Sequence, residues 1–97
     1  MYLPQMTDFF SAIDMDERIS YPHIVLYMAL LQCWNKNEFV NPISISRSQI
    51  IKLSKINSKS TYHKYMKDLT DFGYINYSPS YHPVQGTTVS LNILKRD

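Results

Sequence analysis

Eight apolar residues in unbroken succession, Ile24 to Leu31, occupy the first third of a chain of only 97 residues. Ser20 precedes them as a helix cap, and Pro22 is tolerated in a first turn because the amide donor it lacks would be unpaired there. The segment therefore reads as a helix from about Ser20 to Trp34. It is apolar nearly all round, so its neighbours must enclose it or it must share a face with another subunit. Eight residues fall far short of the roughly 18 to 20 that span a bilayer. Met1 to Asp8 also lacks the basic start and apolar centre of a signal peptide. A cytoplasmic protein with no membrane partner is expected. Hydrophobic residues make up 44% of the chain, enough for one core at this length.

The remaining elements follow from spacing and punctuation. Met6, Phe9, Phe10 and Ile13 form one stripe of a first helix, with Thr7 as its cap and an end near Met15. Asn35 to Asn41 has turn composition, and Ile43-Ser44-Ile45 alternates as a short strand. Ser46 with Gln49 matches a capping box, opening a third helix whose Ile50, Leu53 and Ile56 are expected in the core. Asn57-Ser58 breaks it. A fourth helix then runs from Lys59 to about Phe72, where Gly73 supplies the left-handed residue a helix end favours. A hairpin closes the chain: Tyr74 to Tyr77 pairs with Thr87 to Ile93, Val89, Leu91 and Ile93 share a face, and Ser78 to Gly86 forms a projecting loop. The fold class is α+β, mainly helical with a small hairpin, in a single domain. Residues 1–19 form a helical arm and 20–93 the core.

Charge is distributed unevenly over this frame. Arg47, Lys52, Lys55, Lys59, Lys64 and Lys67 fall between Asn41 and Lys67 with no acidic residue, giving +6 there against −3 for residues 1–40 and −1 for residues 68–97. At 100° per residue, Tyr62, Tyr65, Met66, Leu69 and Phe72 lie on one side of the fourth helix, and Ser60, His63, Lys64 and Lys67 on the other. Positive charge concentrated on a helical pair is the electrostatic footprint of a nucleic-acid binder. A helix of this form fits the major groove, where Lys and Ser reach base-edge acceptors.

The run ISISRSQIIKLSKINSKSTYHKYMKDLTDFGYI resembles the winged helix-turn-helix pattern of bacterial regulators over roughly residues 43–93. In that likeness Ser46 to Ile56 is the support helix, Ser58 to Phe72 the recognition helix, and Gly73-Tyr74-Ile75 the exit into the wing. The string Ser58 to Lys64, with Tyr77-Ser78-Pro79-Ser80, is similar to small winged-helix proteins of mobile elements and phage-type genes. The resemblance implies a sequence-specific transcriptional regulator that binds double-stranded DNA, frequently as a homodimer, here through the N-terminal helices. Bases would be read from Lys59, Ser60, His63, Lys64 and Lys67. Ser58 and Thr61 would lie near the backbone, and Arg47, Lys52 and Lys55 would add basic charge. Wings of this family often carry Arg or Lys, yet Gly73 to Leu94 holds no charged residue. Tyr77, Ser78, Ser80, Tyr81, His82 and Gln85 are left to bond phosphate.

Two other roles share this architecture: an accessory factor for replication or excision of a mobile element, and a winged helix used for protein contact. Exposed Tyr77 and Tyr81 also raise stacking on single strands. Zinc is not expected, since His23, His63, His82 and Cys33 lack paired spacing. The lone Cys33 reads as a small buried hydrophobe and permits no internal disulfide. Asp14, Asp16 and Glu17 read as solvated charge at a helix end. No nucleophile-base pair or phosphate loop accompanies them, so neither enzymatic chemistry nor a cofactor is expected.

Overall fold

The computed structural model describes residues 4–78 and 87–94. In chain order its elements are α1 (Pro4–Asp14), α2 (Tyr21–Lys36), β1 (Ile43–Ile45), α3 (Arg47–Ser54), α4 (Lys59–Asp71), β2 (Ile75–Ser78) and β3 (Thr87–Leu91). The class is α+β and mostly helical, with a three-stranded antiparallel sheet in the order β1-β3-β2. The hairpin anticipated from β2 and β3 thus gains a third strand. Ile43 pairs with Val89 and Ile45 with Thr87 across one side of β3, while Ile75 pairs with Leu91 across the other. The Asn41 side-chain amide lengthens the β1 pairing, accepting from the Leu91 N–H at 3.1 Å and donating to the Leu91 carbonyl at 2.9 Å. No described helix is long and apolar enough to cross a membrane.

Neighbouring elements enclose most of the apolar helix and leave Ile24, Val25 and Met28 half-buried. Leu26, Tyr27, Ala29, Leu30 and Leu31 are buried. Ile24 and Met28 pack partly buried against the same cluster. Ser20 caps α2 as expected, with His23 three residues on in the place a Glu or Gln usually takes: its Nδ1 accepts from the Ser20 N–H at 2.9 Å.

Thr7, expected as a cap, lies inside α1, which begins three residues earlier at Pro4. Proline's fixed φ and missing donor suit a helix start. From α1 the Phe9 ring stacks on Tyr27 with centroids 3.9 Å apart and planes at 7°. Gln5 Nε2 donates at 2.8 Å both to the Tyr27 hydroxyl and to the Asn92 carbonyl, joining α1 to α2 and to the segment after β3.

Phe10 of the expected α1 stripe is 46% exposed, and Leu53 and Ile93, also expected on apolar faces, lie outside as well. Leu53 is 44% exposed because α3 ends at Ser54, Lys55 turns left-handed (φ 62°), and the buried stripe runs through Ile50 and Ser54, with Ile56 entering from the turn. The break therefore begins at Lys55, ahead of Asn57-Ser58. Ile93 is 88% exposed because β3 ends at Leu91. Asn92 then leaves the ladder, its N–H donating to the Tyr74 carbonyl at 3.1 Å and its side chain to the Gly73 carbonyl at 2.9 Å. Gly73 itself (φ 89°) closes α4: its N–H donates to the Thr70 carbonyl and that of Tyr74 to the Leu69 carbonyl, which satisfies the helix's last acceptors.

The acidic cluster is more than solvated charge at one position. Asp16 holds the Arg18 guanidinium at 2.8 Å and accepts the Tyr74 hydroxyl at 2.7 Å, with only 12% of its side chain exposed. The Arg18 hydrogen bond keeps its carboxyl well below the usual carboxylate range, against the upward push of burial. A carboxyl depressed in the folded state contributes stability that is fully present above the unfolded value of about 4 and is lost as pH falls through the folded one. Thermal melts between pH 6 and pH 2 are expected to show a steeper acid loss for the wild type than for Asp16→Asn. Parallel curves would remove Asp16 from the acid response.

Candidate nucleic-acid interface

The charged face of α4 is built by its core. Tyr62, Met66 and Leu69 are fully buried, and Tyr65 and Phe72 pack partly buried beside them. This fixes the rotation of the helix, and Ser60, His63, Lys64 and Lys67 emerge exposed on the far side with Lys59. Thr61 sits half-buried on the flank toward α2.

Both α3 and α4 start on the same short pattern, a serine, a cation and a serine. Ser46 accepts from the Gln49 N–H and contacts the Ser48 hydroxyl at 2.9 Å; Ser58 accepts from the Thr61 N–H and contacts the Ser60 hydroxyl at the same distance. Capping thus commits the Ser58 hydroxyl to its own helix. A recess of about 500 Å³ lies at these two starts, lined by Ser46, Arg47, Ser48, Ile51, Asn57 and Lys59. No acidic residue lines it.

The Arg47 guanidinium reaches across from α3 to within 3.5 Å of His63 Nε2 on α4. Arginine has no acceptor to offer, so the contact needs that nitrogen unprotonated. Lys52 projects directly away from the buried stripe of α3, and Lys55 projects from the left-handed turn between the helices. Among the described residues, Arg47, Lys52, Lys55 and Lys59 make no salt bridge.

Lys64 and Lys67 are different. Both are well exposed, at 64% and 76% of their side chains, but each is paired one turn on: Lys64 with Asp68 at 3.4 Å and Lys67 with Asp71 at 2.6 Å. The acid-free stretch ends at Lys67, and the next residue on the same helix is a carboxylate. Two cations and two carboxylates balance in the second half of α4, so unopposed charge is concentrated toward the starts of α3 and α4. The spacing of four residues from Lys to Asp was visible in the sequence as a pairing signal. His23 was not: its ring reaches α4 from α2, with Nε2 2.8 Å from Asp68.

Tyr81 and His82, with the rest of the expected loop from Pro79 to Gly86, lie outside the described residues. Tyr77 is half-buried in β2. Among the described residues no three His, Cys, Asp or Glu side chains converge to hold a metal. His23 is engaged by Ser20 and Asp68, and His63 faces Arg47. Cys33 is half-buried, and burial pushes its thiol upward, away from the reactive thiolate.

No protein-family model, curated protein or solved structure matches this chain.

Proposed function

We propose that the chain is a winged helix-turn-helix protein that binds double-stranded DNA in the cytoplasm, with α4 in the major groove and α3 across the phosphate backbone. The observation that carries this reading is the convergence of Arg47, Lys59 and His63 at the starts of two helices, beside a recess free of acid. The element order from α2 to β3 supports it too, since the helical pair is followed by an antiparallel hairpin. Sequence-specific regulation of transcription is the role proposed. A replication or excision factor would use the same contacts and differ in where its site maps.

A homodimer through the N-terminal helices would use the outside of α1, where Phe10 is 46% exposed, with the half-buried Ile24, Val25 and Met28 of α2. A second reading, protein contact, is favoured by the exposed apolar residues Phe39, Val40 and Leu53. Salt dependence separates the two. Three or four phosphate contacts from Arg47, Lys52, Lys55 and Lys59 would give a log-log slope of affinity against salt of about −3 per protomer. Fluorescence anisotropy on a labelled duplex between 50 and 300 mM salt (on the order of the range where such slopes are measured) checks it. A flat line would discard the DNA reading.

A further inference from the structure

We infer that Asp68 governs how strongly α4 grips DNA by holding Lys64 aside, and that buried His23 is the positioning residue that keeps Asp68 in place. This rests on the duplex-binding reading above.

The geometry is a chain of contacts running from the cap of α2 to the surface of α4. The His23 side chain is only 4% exposed. Its ring lies edge-on to Tyr65, with centroids 4.6 Å apart, and tilted against Phe72 at 5.8 Å. Its Nδ1 accepts from the Ser20 N–H at 2.9 Å, and a nitrogen that accepts carries no proton. The ring proton is therefore on Nε2, which donates to Asp68 Oδ2 at 2.8 Å. One bond sets the tautomer that the next requires.

The His23 bond holds Asp68 Oδ2, and the same oxygen takes the Lys64 ammonium at 3.4 Å. Burial pushes the Asp68 carboxyl up, but the bonds from His23 and Lys64 outweigh it and leave the group lowered, hence ionised at neutral pH. The Lys64 ammonium also lies over the Tyr65 ring, 4.5 Å from its centroid. At 100° per residue, Lys64 starts close to the outward direction opposite buried Tyr62, Met66 and Leu69, while Tyr65 and Asp68 fall on the flank of α4 toward α2. Lys64 is thus drawn off the groove-facing line, and a phosphate must compete with Asp68 to recruit it.

Duplex affinity and its salt slope, measured on the full chain with a random-sequence labelled duplex, test this. Asp68→Asn keeps an oxygen to accept from His23 while removing the charge. One additional phosphate contact is then expected to raise affinity about 5- to 10-fold at 0.1 M salt and to steepen the slope by about 1. The gain should vanish in Asp68→Asn with Lys64→Gln, since the mechanism acts through that ammonium; a gain that persists would mean simple repulsion of DNA by Asp68 and would overturn it. In the wild-type background, Lys64→Gln is expected to cost about threefold less affinity than Lys59→Gln; equal costs overturn the inference without relying on the Asp68 variant. His23→Leu should reproduce the steeper slope, and His23→Gln, which keeps an amide donor for Asp68 and the usual acceptor of a capping box, should restore the wild-type slope. A wild type that binds while every variant matches it sinks this inference alone. If neither the wild type nor Asp68→Asn binds any duplex, the DNA reading falls and takes the inference with it.

Discussion

Reversing charge at the two helix starts, in Arg47→Glu with Lys59→Glu, is expected to lower duplex affinity by about 100-fold or more at 0.1 M salt. Each lost phosphate contact accounts for about 8-fold at that ionic strength, and each introduced carboxylate adds repulsion. Both side chains are exposed and outside any salt bridge, so stability should move by no more than about 0.5 kcal/mol. The control is the doubly neutralised Lys64→Gln, Lys67→Gln chain. The cations it removes have carboxylate partners at 3.4 and 2.6 Å, so its loss of affinity should stay well below that of the reversal. Anisotropy titrations with parallel melts decide the matter. Should the control lose more affinity than the reversal, the interface is centred on the second half of α4.

Phe9→Ala carries the largest expected effect on stability. The ring is fully buried, stacked on Tyr27 and edge-on to Tyr74 at 5.5 Å, so its removal leaves a cavity between α1, α2 and the start of β2. Such truncations cost about 3 to 5 kcal/mol, against a total of about 5 to 15 for a domain. At about 4 to 8 °C per kcal/mol for a chain of this size, the melting temperature should fall by at least about 12 °C. Phe10→Ala, at a residue 46% exposed on the adjacent position, should cost less than about 1 kcal/mol. Circular dichroism melts of the two variants report whether α1 is integral to the core. Similar small losses for both would make it a detachable arm.

Much of this architecture was readable from local chemistry. Ser20, Ser46 and Ser58 each mark a helix start because a serine hydroxyl or its neighbourhood satisfies amides the helix leaves open. Gly73 marks an end because its φ of 89° is costly for any residue with a Cβ. The two faces of α4 followed from period alone, since one side must be buried. Local spacing failed where a distant segment set the outcome. Leu53 fits a helical stripe, but α3 is cut short at Lys55 by a left-handed turn with no glycine to announce it. The third strand was legible only as an isolated alternation, because its partner lies more than forty residues away.

What the chain's own residues determined was the inventory: where helices begin and stop, which faces are apolar, and which segment holds six cations without an acid. These are short-range properties, set by capping, backbone sterics and side-chain period within a few neighbours. Only the tertiary structure decided how that charge is used. Packing α2 against α4 brings His23 to Asp68 across 45 positions of sequence, onto the oxygen that Lys64 meets from one turn away, while the crossing of α3 and α4 carries Arg47 to His63 across 16. An electrostatic interaction depends on distance in space, and folding chooses which charges become neighbours.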